Sequence, residues 1–188
     1  ALWDLKGKIE GKPVSELLGG RVRDDVRAYA SVLFADTPEQ TAAMAQEYVD
    51  MGLTAVKFGW GPIGPDPDVD VAHVQAAREA VGNDRDLMVD AGHAWDWETA
   101  LGRTELFKPF NIAWLEEPVG QDDRKGYAEL CKRSEIPIAG GEGDVTHWDF
   151  EDLIERGLDV VQPDIAFCGG ITVCKRVSDM TTAAGRKS

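Results

Sequence analysis

Short apolar runs rich in β-formers alternate six times with stretches whose apolar positions recur every three or four residues. The strand-like runs cover 26–31, 55–59, 86–90, 112–116, 136–140 and 160–163. Most are short and nearly continuous in apolar residues, as strands covered on both faces should be. The stretches between them carry helix signals. Thr37-Pro38-Glu39-Gln40 offers an N-cap, a proline for the first helical position and a capping-box Gln. Ala42, Ala45 and Val49, with Met44 and Tyr48, form the apolar stripe behind it, and Gly52 marks the stop. Further helices are predicted over 71–81 (closed by Gly82), 97–107 (capped by Asp96, ended by Pro109), 123–131, 148–156 (ended by Gly157) and 170–184.

Strand and helix in strict alternation imply a parallel sheet with helices packed on it, an α/β fold. Such a sheet stays open and doubly wound or closes into a (β/α)₈ barrel, which takes eight units and typically about 250 residues. Six units fill the 188 residues here. The chain opens on Ala1-Leu2-Trp3-Asp4-Leu5, helix-like without a cap, and stops just past a sixth helix. These ends fit a piece of a barrel, incomplete at both ends, better than a smaller complete fold.

Composition narrows the function. Thirty-four acidic residues against 20 basic ones leave a net charge of −14, which disfavours nucleic acid, whose affinity rests on Lys and Arg. The longest apolar runs are far short of the roughly 20 residues that cross a membrane. No signal peptide is evident, and Cys131, Cys168 and Cys174 form no CxxC pair. Buried, reduced thiols in a cytoplasmic protein are expected.

The acids at strand ends carry the chemistry. Asp90 ends the third run, Glu116 the fourth, and Glu142 follows the fifth, 26 residues apart in both steps. Each is one βα unit beyond the last, at the C-terminal end of consecutive parallel strands, where barrels build active sites. Three hard oxygen donors without His or Cys suit Mg²⁺. Asp164, after the sixth strand, would orient a base or contact substrate, although alone an Asp there reads as a turn residue. Lys57 lies inside an apolar strand and needs a carboxylate partner if buried; the competing reading lets it snorkel out. His93, three residues after Asp90, is an acid/base candidate by its near-neutral pKa, or else packs on Trp95 or Trp97. His73 and His147 read as structural or solvated. Gly59-Trp60-Gly61-Pro62-Ile63-Gly64 matches G-x-G-x-x-G, but the prolines at 62, 65 and 67 delay the helix to about Asp68, so the pyrophosphate site of a dinucleotide fold is not formed. A long loop over an active site explains it better.

At these residues the sequence resembles the enolase superfamily, and within it the mandelate racemase/muconate lactonizing enzyme family. The motifs are Val89-Asp90, Trp114-Leu115-Glu116-Glu117-Pro118, Gly141-Glu142, and Gln162-Pro163-Asp164 followed by Gly169-Gly170. The resemblance implies a capping domain on a modified TIM barrel, and Mg²⁺-assisted abstraction of the proton α to a carboxylate through an enediolate. It implies Asp90, Glu116 and Glu142 as metal ligands, with Glu117 a neighbour on the other face. Residues 1–20 resemble the exit from the capping domain, and 21–188 a partial barrel. Lys57 matches the first lysine of the family's Lys-x-Lys; the second, an acid/base group in many members, is here Gly59, and Phe167 stands where the muconate lactonizing subgroup has its sixth-strand lysine. Asp164 matches the aspartate of the racemase-type His–Asp dyad, whose histidine comes from a seventh strand. A single dyad implies an acid-sugar dehydratase more readily than a racemase or epimerase, which needs groups on both faces of the α-carbon. The expected partners are a sugar acid and, in the full-length protein, further copies of the chain; the 188 residues alone are expected to be inactive.

Overall fold

The computed structural model describes all 188 residues. Six parallel strands form one sheet in the order β1 to β6: Ala30–Leu33, Ala55–Gly59, Asp86–Asp90, Leu115–Glu116, Ile138–Gly140 and Val160–Val161. Helices α1 (Leu2–Glu10) and α2 (Val14–Leu17) precede the sheet. Helices α3 (Pro38–Asp50), α4 (Pro67–Val81), α5 (Trp97–Phe107), α6 (Arg124–Arg133), α7 (His147–Glu155) and α8 (Ile171–Ala183) each follow one strand. Every strand therefore pairs with its sequence neighbours, and all six C-terminal ends point the same way.

The helix starts follow the residues that cap them. The Thr37 side chain accepts from Gln40 N, and Asp96 from Thr99 N, as their positions predict. Helix α4 begins earlier than the pattern suggested, at Pro67, because Asp66 caps it by accepting from Asp68 N and a proline suits the first turn. The first strand lies further along than predicted. Val26 is 76 % exposed, Arg27 turns to Thr54 and Asp86, and pairing with β2 begins only at Ala30↔Val56. Strands β4 to β6 are shorter than their apolar runs, although ladder bonds continue outside them, as in Ala113 N to Leu87 O at 2.8 Å.

The core lies between the sheet and its helices: Phe58, Leu87, Leu115 and Ile138 from strands meet Val74, Phe107, Leu130 and Phe150 from helices. Burial of this kind stabilises by about 25 cal/mol per Å² of apolar surface and fixes the relative position of the strand ends. Among the three free cysteines only Cys168 is fully buried; Cys131 and Cys174 are half-buried, against the expectation for all three. No helix is long and apolar enough to cross a membrane.

Candidate active site

Lys57 sits mid-way along β2, and all five residues of that strand are buried. Its ammonium hydrogen-bonds Glu116 Oε1 and lies 3.7 Å from Asp90 Oδ2. Asp90 and Glu116 end adjacent strands as register partners, so the sheet itself places the two carboxylates beside the lysine. Burial pulls the Lys57 pKa down, but the hydrogen bond and charge of Glu116, with Asp90, carry it above its ordinary value. Lys57 is thus a buried cation held by carboxylates and does not snorkel.

Glu116 is fully buried and held by three donors. Besides Lys57, Trp114 Nε1 donates to Oε2 at 2.9 Å and Gln162 Nε2 to the same oxygen at 2.8 Å. The sequence reading missed both residues. Period-2 alternation carried the signal: Trp114 is two residues before Glu116, so the two share a face. Asp90 is pushed up, first by burial and then by the Glu116 charge, and its Oδ1 accepts from Gly92 N at 2.9 Å. Glu142 is exposed on the loop after β5 and lines two cavities, each of which also includes Lys57. The larger, of about 450 Å³, adds Glu116, Gln162 and Asp164; the smaller, of about 260 Å³, adds Ser31, Trp60 and Asp90.

Glu117 follows β4 and is buried close enough to this cluster to feel the charges of Glu142, Asp90 and Glu116. Both it (φ 41°) and His93 (φ 64°) have left-handed backbone, which is uncommon outside glycine. Their side chains pair, His93 Nε2 to Glu117 Oε2 at 3.0 Å, and His93 N donates to Glu117 O at 2.7 Å. Burial, and then the charges of Glu142, Asp90, Glu116 and Asp144, raise the Glu117 pKa to about 7. His93 lines neither cavity. The structure pairs it with Glu117.

Asp164 lines the larger cavity while its Oδ1 accepts from Ala166 N at 2.6 Å and Phe167 N at 3.2 Å. It combines the turn role with a position at the site. At Gly59 a Cβ would lie 2.9 Å from Asp90 Cβ, so a side chain there displaces the Asp90 carboxylate. Helix α4 opens three residues after Gly64, which leaves no helix N-terminus at the glycine-rich loop. His73 is buried with Nδ1 3.0 Å from Thr41 Oγ1, and His147 stacks on Trp148. Both are structural in their contacts.

The donor set fits a hard divalent cation. Asp90, Glu116 and Glu142 are hard oxygen donors; Asp90 and Glu116 already gather the positive charge of Lys57, and Glu142 shares one cavity with each of them. In this conformation no three His, Cys, Asp or Glu side chains close to metal-ligating distance, so the trio does not itself form a finished coordination sphere.

Six parallel strands in sequence order with carboxylates at consecutive C-terminal ends match an enolase-type barrel. The family model for the Enolase C-terminal domain-like family matches residues 40–188, and the chain belongs to that family, within the mandelate racemase/muconate lactonizing enzymes of the enolase superfamily. It is 36 % identical to the D-galactarolactone cycloisomerase of Agrobacterium fabrum over 98 % of this chain and 50 % of that protein. It is 37 % identical to the L-talarate/galactarate dehydratase of Salmonella typhimurium over 100 % of this chain and 47 % of that protein. The chain thus spans about half the length of the curated relatives it matches. Among solved structures it resembles a mandelate racemase/muconate lactonizing protein from Paracoccus denitrificans complexed with magnesium, with TM-score 0.92 and 31 % identity over 100 % of this chain and 52 % of that one.

Proposed function

We propose that the full-length protein is a Mg²⁺-dependent enzyme that removes the proton α to the carboxylate of a sugar acid and, from the resulting enediolate, expels a hydroxyl as water. The observation that carries this reading is the buried Lys57 between Asp90 and Glu116 in cavities shared with Glu142, beside Gly59, which carries no side chain to act as a second base. The relatives named as a dehydratase and a cycloisomerase of galactarate derivatives support the substrate class.

Asp90, Glu116 and Glu142 would hold the metal, which when bound supplies the positive charge that stabilises an enediolate. Lys57 binds one oxygen of the substrate carboxylate, and its charge lowers the pKa of the α-proton. Trp114 and Gln162 keep the Glu116 carboxylate in one orientation. Asp164 orients a histidine base that lies outside these residues, fixing its tautomer. His93 holds Glu117 beside the carboxylate cluster. Residues 1–20 serve as the exit segment of a capping domain and 21–188 as its partial barrel; the 188-residue chain alone is inactive. Trp3 Nε1 donates to Thr172 Oγ1 at 2.9 Å and fastens that exit segment to α8.

A second outcome of the same proton abstraction is isomerisation, supported by the likeness to the cycloisomerase. The test is to incubate the full-length protein with Mg²⁺ and a panel of sugar acids and to weigh the products. A product lighter by one water supports dehydration; a product of unchanged mass with a new NMR spectrum supports isomerisation. No change with any sugar acid contradicts both.

A further inference from the structure

Trp60 borders the proposed metal ligand Asp90, which it contacts through its side chain as well as its backbone, and its position is specified by several further contacts. Its indole is 54 % exposed and lines the smaller cavity with Lys57, Asp90, Ser31 and Glu142. Its backbone is left-handed, φ 54°, which is a genuine outlier for a bulky side chain. Such strain persists only where the surroundings hold it. Trp60 N donates to Asp90 O at 3.1 Å on one side. On the other side Gly61, itself at φ 69°, sits where a Cβ would meet Phe34 O at 2.9 Å. The indole lies over Gly92, where any Cβ would come within 2.5 Å of the ring.

The loop beneath is equally fixed. Gly64 N donates to Asp70 Oδ1 at 2.8 Å, and Trp95 Nε1 donates to Gly64 O at 2.7 Å. Ile63 is buried in the core. A large aromatic surface is therefore held rigid in the lining of a cavity that also carries Lys57.

We propose that Trp60 is a specificity-determining platform that selects cyclic sugar acids, a lactone or an anhydro ring, over open-chain ones. The inference rests on the sugar-acid reading above and deepens it. A ring presents a C–H face that stacks on an indole while its carboxylate reaches Lys57. An open-chain polyhydroxy acid carries hydroxyls on every side, and stacking would strip them of water without a partner. Aromatic contacts of this kind correspond to about a 3- to 10-fold difference in binding.

The experiment uses the full-length protein with Mg²⁺, in wild-type form and as Trp60→Leu and Trp60→Phe, with galactarate and D-galactaro-1,4-lactone as probes. Affinity is read by calorimetry, and α-proton exchange in deuterated water by NMR. Wild type should bind the lactone more tightly than the open-chain acid. Trp60→Leu should weaken lactone binding by about 3- to 10-fold and change galactarate binding little, and Trp60→Phe should restore most of the difference. Equal losses for both probes would mark Trp60 as structural and overturn the proposal, as would an unchanged preference in Trp60→Leu or a wild type without preference. The two readings fail separately. A lactone preference lost in Trp60→Leu without any proton exchange leaves the platform standing and contradicts the proposed reaction, whereas exchange without the preference removes the platform alone.

Discussion

Removing Arg103 should loosen the loop that carries Trp60, through a carboxylate that is left stranded. Asp70 is fully buried, with Oδ2 2.6 Å from Arg103 Nε and Oδ1 accepting from Gly64 N. Arg103 Nη2 also reaches Gly64 O at 3.4 Å, and its guanidinium lies 5.7 Å from the Trp95 ring centroid. Arg103→Met keeps much of the packing but leaves Asp70 as a buried charge with one N–H donor. Breaking a buried pair from one side costs about 3 to 5 kcal/mol, whereas neutralising both partners is often close to harmless. With an m-value of about 3 kcal/mol/M, the urea midpoint of Arg103→Met should fall by about 1 to 2 M. Asp70→Asn combined with Arg103→Met should recover most of that, because the amide oxygen still accepts from Gly64 N and no charge is stranded. Exchange of the Gly64 amide should quicken in the single variant and slow again in the double. A loss below about 1 kcal/mol, the range of exposed pairs, would refute the reasoning. So would a double variant no more stable than Arg103→Met.

Stability should fall on mild acidification because of His73. Burial lowers its pKa below 6.5, so its contribution is fully present above that value and is lost as the pH drops below it, when the unfolded state takes up the proton first. His73→Phe should flatten the dependence of the thermal midpoint between about pH 7.5 and 5.5. Mg²⁺ should raise the thermal midpoint of the full-length protein, and Glu116→Gln should abolish that gain while Glu117→Gln leaves most of it. Equal behaviour of the two variants in melting curves would contradict the assignment of the ligand. Lys57→Met should weaken sugar-acid turnover sharply, at least about 100-fold, a loss typical of one preorganised donor. Near wild-type rates would leave Lys57 a structural ion-pair partner only.

Much of the scaffold was legible because its causes are local. Thr37 and Asp96 cap as their side chains dictate, and the 26-residue spacing of Asp90, Glu116 and Glu142 reflects one βα unit per step. The first strand was misplaced because Val26 has the composition of a strand, whereas pairing with β2 begins only at Ala30, and strand pairing is decided by tertiary context. Lys57 was legible as a residue that needs a carboxylate, but not which one, since the partners lie 33 and 59 positions on. The Trp114 and Gln162 bonds to Glu116 follow from alternation and from proximity across strands, and only the first can be read along the chain. The His93–Glu117 pair depends on two left-handed residues, a conformation that neither residue type announces. Asp164 is the turn acceptor its position suggests and also lines the larger cavity.

The central claim is that carboxylates at three strand ends, with Lys57, serve to remove a proton next to a carboxylate. It is tested most directly by proton NMR of the full-length protein with Mg²⁺ and a galactarate-type sugar acid or lactone in deuterated water. The α-proton signal should disappear through exchange or through conversion to product. The loss should stop when Mg²⁺ is chelated and should be nearly absent in Glu116→Gln. An α-proton that persists across the sugar acids with Mg²⁺ present, or one lost equally fast in Glu116→Gln, would contradict the account.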